Sequence, residues 1–420
     1  MNKIRINLYD LLLCLSFAQD LVSKQLANHQ QQVAYLSLRL AEQLNLSTTT
    51  QKKIFFAALV HDIGTISSNE KLAIMESEFS NINDHAFRGA KIFTDCPYLK
   101  EEANIIRYHH LAWNHGEGLT FNNAHVPYES HIVHLADRVC VKINSQENIL
   151  SQVPLIIESI KEGSGTIFDE SLVDALVILS RKEYIWLDLI SMSPIDKVPD
   201  IGKYDALVLD TDDIISLAKV FSHVIDFRSK FTARHSVGVA VTAERLAQLS
   251  NFSTIECNMM LIAGYLHDIG KLAIDNDVLE KPAKLNVDEF NQMRSHTYYT
   301  YQLLGMIPEF GTIKIWASYH HEKLNGTGYP FHIIGDNITL GARIMAVADI
   351  FTAISENRPY RQGMENKNII NVLINMVENK SIDGNIVHLL IDNFDEINNL
   401  RNEAQNMASI TYEEFLNVNV

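Results

Sequence analysis

His29, His61-Asp62, His85, His109-His110 and Asp137 recur, in the same order, as His235, His267-Asp268, His296, His320-His321 and Asp349. The spacing recurs too: 32 residues from the first His to the His-Asp pair in both halves, 24 from the third His to the His-His pair in both, and 28 against 29 to the last Asp. This constrains the fold strongly, because each half must bring seven donors from distant parts of the chain to one place. A lone His is ordinarily a satisfied or solvated side chain. A His-Asp pair after one apolar helix, adjacent histidines after Trp316 on another and an Asp inside the apolar run 344–351 would be costly as unpaired buried groups and natural as metal ligands. Imidazoles mixed with carboxylates suit Fe, Mn or Zn better than Mg or Ca, and seven donors exceed what one ion needs. Each half is expected to have room for two ions.

The repeat extends beyond the ligands. Offset by 206 residues, Ser16 falls on Ser222, Asp20 on Asp226, Leu40-Ala41 on Leu246-Ala247 and His61-Asp62-Ile63-Gly64 on His267-Asp268-Ile269-Gly270, without a gap. A whole unit has been duplicated, not a short solenoid period. Between the copies, residues 191–210 carry Pro194, Pro199 and Gly202 and lose apolar periodicity, which reads as a linker. Apolar residues recur at helical spacing, as in Val33, Leu36, Leu40 and Leu44 or Ile369, Val372, Leu373 and Met376, while alternating strand-like runs are scarce. The expected fold is all-α, two tandem helical-bundle domains at 1–195 and 211–420 joined by 196–210, with ligands converging from different helices. Gly64 and Gly270 suit the ends of the apolar helices before them.

Composition removes several classes of function. At 420 residues with 47% apolar and 20% charged content, the chain can bury two cores and is not a disordered protein. Cys14, Cys96, Cys140 and Cys257 form no CxxC pair, which speaks against a disulfide framework or thiolate zinc site and fits a reducing cytoplasm. The apolar run 11–18 is too short to span a bilayer, is flanked by Asp10 and Asp20 and lacks a small-residue cleavage site, so a soluble, unprocessed protein is expected. A formal net charge of −16 disfavours long nucleic acids, though not a small anion met by a local basic cluster.

The order His, His-Asp, His-His, Asp resembles the HD superfamily of metal-dependent phosphohydrolases. The second half adds His267-Asp268-Ile269-Gly270-Lys271, His320-His321-Glu322, Asn325-Gly326-Thr327-Gly328-Tyr329-Pro330 and Arg358-Pro359-Tyr360-Arg361. Over residues 213 to 400 it is similar to the HD-GYP cyclic dinucleotide phosphodiesterases. The resemblance implies one ion on His235, His267, Asp268 and Asp349 and another on Asp268, His296, His320 and His321, with Asp268 as bridge. Where some family members hold a third metal through a Glu, this chain has Phe231. Lys271 matches a family lysine that meets substrate phosphate, and Arg358, Arg361 and Tyr329 fall at substrate-binding positions.

Two neighbouring cations can activate a water and neutralise charge on an in-line phosphoryl transition state, which makes a phosphodiester the natural substrate. Arg358 and Arg361, at i,i+3 spacing, can grip phosphate or a guanine edge. Cyclic di-GMP or 3′,3′-cyclic GMP-AMP is the substrate the resemblance implies, the linear dinucleotide the product, and Fe or Mn the metal. Asn325 and Asn357 replace Asp residues common in the family. The first half keeps every ligand position but has Thr65 for Lys271, Gln146 and Ile149 for Arg358 and Arg361, and no Gly-Tyr-Pro after His109-His110. It is expected to bind metal and to act as a regulatory domain. Two other readings remain at this point: a slow or inactive sensor recruiting a partner through the Gly-Tyr-Pro loop, and a phosphohydrolase acting on mononucleotides. A homodimer is a further expectation.

Overall fold

A computed structural model describes residues 5–21, 28–65, 70, 83–94, 96–198, 207–228, 234–356 and 362–416. The fold is all-α, and the four strands among the described residues are two residues long each. The described residues divide into two compact units, one within 11–207 and the other formed by 5–10 with 208–416. The extreme N-terminal segment groups with the later half because β1 (Ile6–Asn7) pairs antiparallel with β4 (Val208–Leu209). The expected linker is not featureless: Pro194 and Ile195 are buried in a short 3-10 turn, and Arg39 donates to the Lys197 carbonyl at 2.9 Å. Residues 199–206, and with them Pro199 and Gly202, lie outside the described residues.

Among the described residues the helices of the first unit are α1 (Leu8–Asp20), α2 (His29–Gln43), α3 (Thr48–Leu59), α4 (Asn83–Phe93), α5 (Lys100–Arg107), α6 (Tyr128–Val141), α7 (Ile149–Glu162), α8 (Glu170–Ser180) and α9 (Glu183–Leu189). A two-residue hairpin, β2 (Thr120–Phe121) with β3 (Ala124–His125), interrupts them. Helix α2 packs on α3, α6 and α8. In the second unit they are α10 (Thr211–Asp226), α11 (His235–Leu249), α12 (Thr254–Leu266), α13 (Asn276–Leu279), α14 (Val287–Arg294), α15 (His296–Leu304), α16 (Gly311–Ser318), α17 (Leu340–Ser355), α18 (Asn366–Glu378), α19 (Gly384–Asp392) and α20 (Phe394–Leu416). There α11 is central, packed on α12, α17 and α20. Val239, Ala240, Ala243 and Leu246 of α11 are wholly buried, the face that apolar i,i+3/i+4 spacing predicts.

Local chemistry fixes where these helices begin. Ser253 with Glu256, Asp210 with Asp213 and Asn286 with Glu289 form capping boxes, each satisfying helix-start amides that would otherwise be orphaned. Helix α11 has no capping side chain of its own; the buried Asp226 accepts from the Ser236 amide at 3.0 Å and the Ser236 hydroxyl at 2.9 Å. Asp20 meets Gln30 N of α2 in the same way at 3.4 Å. The recurrence of Asp20 as Asp226 thus has a structural cause: both anchor the helix that opens on a site histidine.

Candidate functional site

The second unit gathers its seven histidines and aspartates from five elements. His235 opens α11, His267 and Asp268 follow α12, His296 opens α15, His320 and His321 follow α16, and Asp349 lies within α17. Two groups form, His235 with His267 and Asp268, and His296 with His320 and His321, the donor atoms within each lying within 4.8 Å of one another. Asp268 stands between them, its Oδ2 3.2 Å from His267 Nε2 and its Oδ1 3.4 Å from His296 Nε2. Asp349 does likewise, with Oδ1 3.1 Å from His235 Nε2 and Oδ2 3.8 Å from His321 Nδ1.

The backbone aims the imidazoles. Nδ1 of His267, His296 and His320 lies 2.7, 2.6 and 2.6 Å from the carbonyl oxygens of Gly264, Met293 and Ala317. Donation from Nδ1 leaves each Nε2 lone pair facing the cluster, the tautomer in which imidazole binds a metal. Burial, aided by neighbouring positive charge, lowers His296 to about 3 and pushes His320 well below its ordinary value, so both are neutral. Burial opposes ionisation of Asp268 and Asp349, yet the surrounding cationic groups hold both well below the usual carboxylate range. His267 Nε2 and Asp268 Oδ1 are buried without a hydrogen-bond partner, a cost that ligation would remove. These donors fit divalent cations.

Behind His235 lies a residue that sequence reasoning missed. The buried Glu356 carboxylate sits 3.1 Å from His235 Nδ1 and accepts from Gln405 Nε2. Burial would lower His235, but Glu356 and Asp349 outweigh it and raise the imidazole to about 10, so a cation held at Nε2 would have to displace a proton. Glu356 lies two helical turns past Asp349, a signal the ligand pattern alone did not single out. The first unit has Asn144 at that position.

Around the rim, Lys271 Nζ is 2.5 Å from Asp268 Oδ2 with its side chain 18% exposed. The segment carrying it is braced by the buried Arg228, which donates to the carbonyls of Lys271 and Leu272 at 3.1 Å and of Ile274 at 3.2 Å. Gly270 proves to be more than a helix end. A Cβ there would stand 1.9 Å from His296 O, and at Gly64 2.0 Å from His85 O, so glycine is what lets the His-Asp turn pack against the next His helix. The Gly-Tyr-Pro loop is tied back over the histidines: the buried Glu322 carboxylate accepts from the amides of Phe331 (2.7 Å) and Ile333 (3.0 Å), and Tyr329 N donates to His321 O. The Tyr329 ring lies 4.9 Å from that of His321. Asn325 Oδ1 accepts from Thr327 N while its Nδ2 donates to Asn379 O at 3.1 Å, a bond that Asp could not make. Arg358, Arg361 and Asn357, like Phe231, lie outside the described residues.

In the first unit His29 opens α2, His61 and Asp62 follow α3, His85 lies in α4, His109 and His110 follow α5, and Asp137 lies in α6. All seven are buried. They form a group of four, Asp62, His85, His109 and His110, and a group of three, His29, His61 and Asp137. His61 and His109 direct Nδ1 to the carbonyls of Ala58 and Ile106 at 2.8 and 2.7 Å, as their counterparts do. Thr65 only bonds back to Asp62 O, Gln146 is an exposed turn residue and Ile149 is core.

The HD domain family matches residues 26–141 and again 219–386. The chain therefore belongs to the HD family and carries two HD domains in tandem. Its second domain is of the HD-GYP type, as its relatives also indicate. The chain is 28% identical over 402 residues to 3′3′-cGAMP-specific phosphodiesterase 1 of Vibrio cholerae serotype O1, spanning 92% of each. It is 27% identical to 3′3′-cGAMP-specific phosphodiesterase 3 of the same organism, over 85% of this chain and 88% of that one. The cyclic di-GMP phosphodiesterase response regulator RpfG of Xanthomonas campestris pv. campestris is 37% identical over 36% of this chain and 40% of its own length. A crystal structure of a cyclic GMP-AMP-specific phosphodiesterase of V. cholerae superposes with TM-score 0.65 at 25% identity, covering 93% of this chain and 98% of that one.

Proposed function

We propose that the chain is a metal-dependent phosphodiesterase that hydrolyses a 3′,5′-cyclic dinucleotide to its linear form in bacterial signalling, with the chemistry in 211–420 and a regulatory role for 1–195. The observation that carries this reading is the pair of donor groups in the second unit, linked by Asp268 and Asp349, with a lysine ammonium at the rim. His235, His267, Asp268 and Asp349 would hold one ion and Asp268, His296, His320 and His321 the other, Fe or Mn suiting the donors. Two such cations, when bound, would polarise a phosphoryl oxygen, acidify water and neutralise charge on the displaced oxygen.

The chain's own residues do the rest. Lys271 turns from Asp268 to a phosphate oxygen of the substrate, a charge-assisted contact on a segment held in place by Arg228. Burial pushes the Tyr329 phenol upward, so it stays a protonated donor beside His321, where its ring also offers a face to a base. Arg358 and Arg361 supply further positive charge for phosphate or a guanine edge. Two relatives that span most of the chain are named for 3′3′-cGAMP, whereas RpfG, named for cyclic di-GMP, matches about a third of it. That favours 3′3′-cGAMP as substrate. Among the described residues no helix is long and apolar enough to cross a membrane, which supports a cytoplasmic site of action. The exposed Phe331 and Ile334 beside the Gly-Tyr-Pro loop suit a protein partner, and a homodimer is part of the same proposal. Incubation of Mn- or Fe(II)-loaded protein with a panel of cyclic dinucleotides, resolved by chromatography, should show linear product from 3′3′-cGAMP. A folded, metal-loaded protein that opens no cyclic dinucleotide would overturn the proposal.

A further inference from the structure

The two donor clusters differ in a way that the shared ligand pattern conceals. In the second unit both groups have three members, one of them wholly buried and the other reaching solvent through His321, which leaves 31% of its side chain exposed. In the first unit one group has four members, Asp62, His85, His109 and His110, all buried. His85 Nε2 lies 3.3 Å from Asp62 Oδ1, while His109 Nε2 and both ring nitrogens of His110 are buried without a hydrogen-bond partner. Three imidazoles and a carboxylate are as many donors as a tetrahedral shell would need, and a complete shell is the mark of a structural site, whereas catalytic sites keep a position open.

The remaining group, His29, His61 and Asp137, has a fixed cation beside its carboxylate, although Asp137 Oδ1 still faces His29 Nε2 at 3.1 Å. Buried Arg138 directs Nε and Nη2 at Asp137 Oδ2, at 3.0 and 2.6 Å, and the second unit has Ile350 at the equivalent position. Asp62 Oδ2 is also engaged, accepting from the wholly buried Gln30 amide at 3.2 Å; the equivalent residue in the second unit is Ser236, which bonds to Asp226 instead. The charge balance follows. Among the described groups that touch the donors, Asp268, Asp349 and Glu356 against Lys271 leave two negative charges in the second unit, and Lys271 is partly exposed. Asp62 and Asp137 against Arg138 leave one, with Arg138 fixed in the interior and Asn144 where Glu356 would be. A second divalent ion there would leave more uncompensated positive charge, in a buried, low-dielectric setting, than it would in the second unit.

We infer that the first unit holds a single divalent ion in a closed site made by Asp62, His85, His109 and His110, and that Arg138 stands in place of a second ion. That site ties the ends of α3 and α5 to α4, so it serves architecture and not turnover. This is one ion fewer than the count of donors allows.

The test is metal content of the full chain, stripped and reloaded with Zn or Co(II), measured by mass spectrometry. Differences between variants sharing an unaltered second unit do not depend on how many ions that unit holds. His110→Gln should lose one ion per chain, His29→Gln none, and Arg138→Met should gain one. Equal losses from His110→Gln and His29→Gln, no loss from either, or no gain from Arg138→Met would each overturn the inference. Should His110→Gln fail to fold, His110→Cys keeps a ligand: loaded with Co(II), it should keep the ion and show a thiolate charge-transfer band. A folded His110→Cys protein without that band would sink the proposal equally.

Discussion

The second unit's site is ringed by groups that can move or meet solvent, Lys271, His321 and Tyr329, whereas the first unit's is closed by groups that cannot, Gln30, Arg138 and His110. The ligand residues are the same in both. The donor framework therefore recurs in both units, while the positions of Lys271, Tyr329, Arg358 and Arg361 differ between them. A set of metal ligands defines where an ion sits; the charge and exposure around it define whether chemistry follows.

The bluntest way to break this contrast is to remove the metal. Exhaustive chelation should abolish opening of 3′3′-cGAMP, and Mn or Fe(II) should restore it; turnover that survives stripping would end the comparison. Next in size, Lys271→Ala should lower kcat/KM by about 3 kcal/mol, the loss typical of one preorganised donor to a developing anion. Its metal content should not change, and Thr65→Lys in the first unit should add no turnover. An emptied site in Lys271→Ala would instead make the lysine a structural partner of Asp268.

Glu356→Gln sharpens the contrast from behind the ligands. Removing the charge that polarises His235 should weaken metal binding by about 10- to 100-fold, as loss of outer partners of ligating histidines does. Titration of the stripped protein with Mn would show it, and unchanged affinity would mean that Asp349 alone orients His235. The smallest effect belongs to Asn325→Asp. This substitution restores the family's commoner residue but loses the bond to Asn379 O, for a stability cost of about 1 kcal/mol in denaturant unfolding. A gain in stability would show that the bond to Asn379 contributes nothing.

Much of this was legible in the chain. The all-α class followed from helical periodicity, and the repeated spacing pointed to the donors that cluster, thirteen of them in four groups with Asp349 beside His235 and His321. The rest was not, for physical reasons. Glu356, Gln30 and Arg138 act by burial next to a ligand, and nothing in residue type distinguishes a buried Glu or Arg from the solvated ones that outnumber them. Gly64 and Gly270 stood out as helix ends, but their need is a contact with His85 O and His296 O, from residues far along the chain. Asp20 and Asp226 were visible as a repeat without a role, because a cap supplied from the preceding helix leaves no local signature.

The central claim is that one unit catalyses and the other does not, and the most direct measurement compares Asp268→Asn with Asp62→Asn. Each changes the same position of the shared pattern by the same atoms. In the full chain, loaded with Mn and given 3′3′-cGAMP, Asp268→Asn should be inactive because the carboxylate shared by both donor groups is gone. Asp62→Asn should open the substrate at a rate near that of the unaltered protein. Full activity in a folded Asp268→Asn protein, or its loss in a folded Asp62→Asn protein with an intact second-unit metal complement, would place the chemistry in the wrong half.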